Sequence, residues 1–126
     1  MTDKVIIYHN PKCSKSRACL ELITSMGITP TVKLYLDKII TNDELNNIVH
    51  MLGIKPRELL RKSEEEYKTY NLDDNKLEDE EIIKIMIENP ILIQRPLVIA
   101  NNSAIVGRPL ENIFKLLNKQ NGVSYE

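Results

Sequence analysis

A chain of 126 residues with 17 basic and 18 acidic side chains has the size of one α/β domain and a formal net charge of -1. Both signs are mixed along it, with no long basic run, no Trp and a single Phe, which argues against non-specific nucleic-acid binding and base stacking. No apolar run reaches the roughly 18 residues of a membrane helix, no signal-peptide pattern precedes the first strand, and two cysteines make no disulfide framework; a soluble, cytoplasmic protein with no membrane partner is expected.

Val5-Ile6-Ile7 reads as a buried strand. A helix follows with the apolar stripe Cys19, Leu22, Ile23 and Met26; Ser14 or Ser16 is its expected cap, and Gly27 its end. Pro30 leads into Thr31-Val32-Lys33-Leu34-Tyr35, an alternating strand. Strand, helix and strand in so short a span form a βαβ unit with parallel strands. The middle of the chain is helical. Thr41 and Glu44 make a capping box for a helix carrying Leu45, Ile48, Val49 and Leu52 and closed by Gly53. Pro56 opens a short helix to Leu60-Arg61, Ser63-Glu64-Glu65-Glu66 starts another that ends near Asn71, and Asp79 to Glu88 is the last, with Ile82, Ile83 and Met86 inward.

Strands then return. Pro96 to Ile99 and Ala104 to Val106 form an antiparallel pair across Asn101-Asn102, and Pro109 opens a final helix with Leu110, Ile113, Phe114 and Leu117 on its stripe. The order predicts a thioredoxin-like mixed sheet in a single domain over 1–119, a helical block inserted at about 40–90, and a frayed tail over 120–126.

Cys13 lies where the first strand feeds the first helix. A helix start offers unpaired N–H groups and the positive end of the macrodipole, and both favour thiolate over thiol. The same groups suit a tetrahedral oxyanion. Ser14, Lys15, Ser16 and Arg17 surround this candidate anion cradle. Cys13 is flanked by polar residues and reads as an exposed nucleophile, whereas Cys19 belongs to an apolar stripe and reads as core. Six helical residues rise about 9 Å, beyond the roughly 7 Å between Cα atoms that a disulfide tolerates. Cys19 is therefore badly placed to resolve an adduct on Cys13. A Cys-x-x-Cys pair is absent because position 16 is Ser, and a Cys-x5-Arg loop is absent because position 19 is Cys. Any redox chemistry at Cys13 then needs a thiol from outside.

Arg61, Arg95 and Arg108 each lie at the end of an element, where loops build sites. Guanidinium groups fit oxyanions bidentately. An anion at Cys13 would give the three a common target, and solvated surface charge is the other reading of each. His9 is a candidate cation beside the thiolate or a packed imidazole. No metal-ligand cluster and no Gly-rich nucleotide loop is present.

Tyr8-His9-Asn10-Pro11, Cys13 and Ser16-Arg17 resemble the first signature of the ArsC-type, glutaredoxin-coupled arsenate reductases. Leu59-Leu60-Arg61, Asn89-Pro90-Ile91-Leu92-Ile93-Gln94-Arg95-Pro96 and Gly107-Arg108-Pro109 are similar to the later motifs, and the likeness runs from Lys4 to Leu117. Ser14-Lys15-Ser16 is similar to a chromosomal subgroup of that family. The resemblance implies a thioredoxin-like sheet with inserted helices, Cys13 as nucleophile, and Arg61, Arg95 and Arg108 as oxyanion-holding groups. It also implies that His9 supports a low thiol pKa and that Pro96 is cis. It implies arsenate as substrate, glutathione as co-substrate with no bound cofactor, and glutaredoxin as partner in arsenic detoxification. A glutathione-dependent thiol oxidoreductase without arsenic chemistry, and a polymerase-binding regulator similar to the related Spx proteins, are the alternatives. On the reductase reading Cys13→Ser abolishes turnover and Cys19→Ser leaves most of it; an assay of both variants with folding intact checks the division of roles.

Overall fold

The computed structural model describes residues 4–37, 40–100, 103–107 and 111–121. In chain order the elements are β1 (Val5–Tyr8), α1 (Ser14–Ser25), β2 (Thr31–Lys33), α2 (Asn42–Leu52), α3 (Glu65–Thr69), α4 (Asp79–Glu88), β3 (Leu97–Ala100), β4 (Ser103–Val106) and α5 (Glu111–Asn121). Short 3-10 turns occupy Tyr35–Asp37, Pro56–Leu59 and Pro90–Leu92. The chain divides into two compact units, one from segments 1–34 and 95–126, the other from 35–94.

The first unit is built on a four-stranded sheet in the order β2-β1-β3-β4. β1 and β2 run parallel, with Ile6 opposite Thr31 and Tyr8 opposite Lys33. β1–β3 and β3–β4 are antiparallel, with Ile7 opposite Val98 and Ile99 opposite Ala104. This is the mixed, thioredoxin-like sheet expected from the element order. Val5, Ile7, Val98 and Ala100 share one face by the two-residue period of a strand. Cys19 and Ile23 of α1 and Ile113, Leu116 and Leu117 of α5 complete the buried cluster on that face. Burying such side chains is worth about 1.5–3 kcal/mol each.

Several local expectations change. β2 ends at Lys33 rather than Tyr35, because the ladder closes where the His9 N–H donates to the Lys33 carbonyl at 2.8 Å, and Tyr35 enters a 3-10 turn. Neither Ser14 nor Ser16 caps α1. The N-cap residue is Cys13, and the Ser16 hydroxyl is turned inward to His9 and Asn10. α1 ends one residue before Met26, and Gly27 follows in the left-handed region at φ +81°. α5 extends to Asn121, two residues beyond the expected point of fraying, and buries Leu116 as well. The Asn101-Asn102 turn, the helix opening at Pro109 with Leu110, and the tail beyond Asn121 lie outside the described residues.

In the second unit α2 and α4 pack together through Leu45, Ile48 and Val49 on one and Ile82, Ile83 and Met86 on the other. The capping box of α2 is complete: the Glu44 N–H donates to Thr41 Oγ1 at 3.1 Å, and the Thr41 N–H faces Glu44 Oε1 at 3.5 Å. Gly53 closes α2 at φ +68°. α3 starts later than its Ser63 signal suggests. Residues 61–64 first make a turn, with the Glu64 N–H donating to the Arg61 carbonyl at 3.4 Å, so Glu64 becomes the N-cap. The Arg57 guanidinium donates to the Leu72 and Asp74 carbonyls at 2.6 and 2.9 Å and holds the connection to α4.

Gly107 follows β4 at a close approach to Pro96 and Cys19. Its N–H donates to the Pro96 carbonyl at 2.8 Å, and a Cβ there would lie 3.0 Å from Pro96 Cγ and 3.1 Å from Cys19 Sγ. Gly107→Ala is therefore expected to cost about 1–3 kcal/mol of stability by overpacking. Cys19→Ala removes one of the opposing atoms, so urea unfolding of the single and double variants should show the two substitutions costing less together than their sum.

Candidate active site

The site begins with a loop of seven bonds between β1 and the first turn of α1. Asn10 Oδ1 accepts from the Lys12 N–H at 3.0 Å, an Asx turn that bends the chain at Pro11. The Asn10 carbonyl accepts from the Cys13 N–H at 3.0 Å, and the Asn10 N–H donates to Ser16 Oγ at 3.0 Å. Ser16 Oγ also meets His9 Nδ1 at 2.6 Å. The Cys13 carbonyl accepts from the Arg17 N–H at 3.0 Å, and Arg17 Nη1 donates to the Pro11 carbonyl at 2.9 Å. With the His9–Lys33 bond already described, these pin Cys13 at the helix entrance.

No side-chain oxygen caps α1, and its first turn carries no acid. The Cys13 sulfur takes the capping position instead. Burial is the largest single effect and pushes its pKa up; a hydrogen bond from the Arg95 side chain, the backbone N–H groups of Ser16 and Lys15, and the Arg95 charge together outweigh it. The result is a thiol lowered from 9.0 to about 7. Cys13 is also less open than its polar neighbours suggest, with 9% of its surface accessible. The helix start and the Arg95 contact account for that cover. Cys19 is fully enclosed, and burial pushes its thiol up to about 12. Both cysteines are free.

His9 differs from the cation considered above. Burial and the nearby Arg17 charge lower its pKa from 6.5, so the imidazole is neutral at pH 7. Ser16 Oγ accepts from the Asn10 N–H, and its hydroxyl proton can then be donated to an unprotonated Nδ1. His9 thus acts on the loop through Ser16, whose N–H lies on the sulfur. Ser14 and Lys15 have exposed side chains; Ser14 opens α1 and Lys15 offers its N–H to the sulfur. The Ser16 hydroxyl and the Arg17 guanidinium brace the loop, where the sequence offered them to an anion. Asn10 was not among the candidates, although Asn-Pro is a turn signal and its side chain makes the Asx bond.

Arg95 immediately precedes the cis peptide bond to Pro96, as expected, and the structure brings its side chain to Cys13. Arg61 belongs to the other unit. Its Nη1 lies 3.2 Å from Glu64 Oε2, off the line of a good hydrogen bond, and its N–H donates to the Leu92 carbonyl at 2.7 Å. Arg108 lies outside the described residues. Among the described residues no group of three His, Cys, Asp or Glu could hold a metal ion, and no helix is long and apolar enough to cross a membrane.

Residues 8–116 match the ArsC family. The chain belongs to the ArsC family. It is 45% identical over 114 residues to an arsenate reductase of Haemophilus influenzae, spanning 90% of this chain and 98% of that one. It is 43% identical over 118 residues to the uncharacterized protein YfgD of Escherichia coli (strain K12), spanning 93% and 99%. The solved structure of an arsenate reductase from Vibrio cholerae superposes with a TM-score of 0.88 at 42% identity, covering 91% of this chain and 98% of that one. The ArsC resemblance drawn from the motifs therefore holds for fold and family alike.

Only the thiolate is alkylated at a useful rate. Iodoacetamide should label Cys13 with a rate that rises with pH about a midpoint near 7, where the thiol loses its proton. Arg95→Ala should move the midpoint up, because the group removed favours the charged form. Mass mapping should find Cys19 unlabelled in the folded protein.

Proposed function

We propose that this ArsC-family protein reduces arsenate to arsenite, with Cys13 as nucleophile and glutathione and glutaredoxin as the sources of electrons. The observation that carries the reading is the Cys13 sulfur held at the start of α1 under the Arg95 guanidinium. A thiolate and a fixed cation at one point suit an electrophile that is itself an anion. The cation lowers the repulsion between thiolate and oxyanion and is already oriented before reaction. The arsenate reductases among the relatives named above support the choice of oxyanion.

Arsenate docks against Arg95 and the N–H groups at the start of α1. The Cys13 thiolate attacks arsenic, and one arsenic oxygen takes up protons and leaves as water. The product is a Cys13–S–As(V) adduct. A glutathione thiolate then attacks the Cys13 sulfur. The S–As bond breaks, its electron pair stays on arsenic, and As(III) departs as arsenite. Cys13 is left in a mixed disulfide with glutathione. Glutaredoxin takes the glutathionyl group by thiol–disulfide exchange and returns Cys13 as thiolate. Two thiols are oxidised for each arsenic reduced by two electrons.

The deciding experiment follows arsenate-dependent NADPH consumption coupled through glutathione reductase, with glutathione and glutaredoxin present. Turnover requiring arsenate, glutaredoxin and Cys13 is expected, with none from Cys13→Ala. Arg95→Ala should fall by about a hundredfold, the usual loss for one positioned oxyanion donor. Equal NADPH consumption without arsenate would instead favour the glutathione oxidoreductase reading.

A further inference from the structure

Tyrosines and cysteines aside, the buried polar residues among the described ones are His9, Asn10 and Ser16, and all three lie in the loop around Cys13. His9 and Ser16 are joined to each other. Asn10 reaches further. Its N–H donates to Ser16 Oγ, its carbonyl accepts from the Cys13 N–H, and its Oδ1 accepts from the Lys12 N–H, each at 3.0 Å. Asn10 thus holds the peptides leading into Cys13 and, through Ser16, the residue whose N–H lies on the sulfur.

Two of these three bonds are made by the Asn10 backbone and need no particular residue at position 10. Only the bond from Lys12 needs a short side chain with an acceptor. The backbone at position 10 makes no such demand: its φ is not positive, and any residue before Pro11 is steered to extended conformation. Asn10 Nδ2 makes no hydrogen bond among the described residues, so the side chain acts through its oxygen. We infer that Asn10 is a positioning residue for the Cys13 thiolate: its Oδ1 holds the turn that keeps the sulfur against the Lys15 and Ser16 N–H groups. The inference rests on the reading of Cys13 as the reacting thiol, and every group it invokes belongs to the first unit.

Three substitutions separate the acceptor from the space it fills. Asn10→Ala removes both. Asn10→Leu removes the acceptor and keeps the bulk. Asn10→Ser loses the bulk and keeps an oxygen that can accept from the N–H two residues on, more weakly. The measurement is the rate of iodoacetamide labelling of Cys13 against pH. In Asn10→Ala and Asn10→Leu the midpoint should rise from near 7 by about half to one pH unit, the preference one hydrogen bond confers on the thiolate. Labelling at pH 7 should slow about two- to fivefold, while the plateau at high pH should not fall, because the thiol is then fully ionised. Arg95 still faces the sulfur, so the midpoint should stay short of 9.0. Asn10→Ser should recover at least half of the shift. Cys19 remaining unlabelled reports that the core of the first unit is intact in each variant.

An unmoved midpoint in Asn10→Ala and Asn10→Leu would overturn the inference. So would a normal midpoint in Asn10→Leu with a displaced one in Asn10→Ser, which assigns Asn10 to packing. Asn10→Ser displaced as far as Asn10→Ala, or Cys19 labelled in all three variants, rejects it as well. Arsenate takes no part in this assay, so any of these results leaves the reductase reading to the coupled assay. A wild-type Cys13 that resists labelling near pH 7 rejects the thiolate itself and the inference with it.

Discussion

Burial and charge oppose each other at Cys13. A sulfur with so little open surface ought to hold its proton, and Cys19, a turn and a half further along the same helix, shows what burial does alone. The difference is the direction of local dipoles. At position 13 two backbone N–H groups and a guanidinium point at the sulfur. At position 19 the backbone N–H groups are spent inside the helix and the sulfur lies close against Gly107. Everything between β1 and α1 serves to keep position 13 in the first situation. Asn10 turns the chain, Ser16 reaches back under the turn, and Arg17 crosses over it.

His9 has an indirect place in this scheme. A charged imidazole under the loop would favour the thiolate by Coulomb attraction, but it would also need a partner in a nearly dry position. A neutral ring that accepts the Ser16 hydroxyl proton avoids that cost and still orders the helix entrance. The electrostatic work then falls to Arg95, which reaches the sulfur from the chain just before β3, the strand paired with β1.

Much of this was legible from residue types. The Thr41–Glu44 box, the Gly53 stop and the inward face of α4 follow from local rules that tertiary packing does not override here. The β-strands follow from their apolar runs, except that Leu34 and Tyr35 continue the alternation of β2 after pairing has stopped at Lys33. Cys13 and Cys19 were separable by context alone. What the residues could not announce was direction. Ser14 and Ser16 are both good caps on paper, and only the fold shows that the Ser16 hydroxyl is taken by His9 and Asn10. Likewise Arg17 and Arg95 have the same chemistry, and the fold alone distinguishes the one that braces a carbonyl from the one that meets the sulfur.

The enclosure of Cys19 has a kinetic meaning. A protein with two accessible neighbouring thiols can discharge an adduct by itself and wait, oxidised, for a reductant. This chain has two cysteines in all, and one of them is sealed in the core at 0% exposure. An adduct on Cys13 has no internal exit. On the proposed reading the protein alone stops after one equivalent of arsenate, as a stoichiometric trap. It becomes a catalyst only through collision with outside thiols, so the cell's thiol pool sets its throughput.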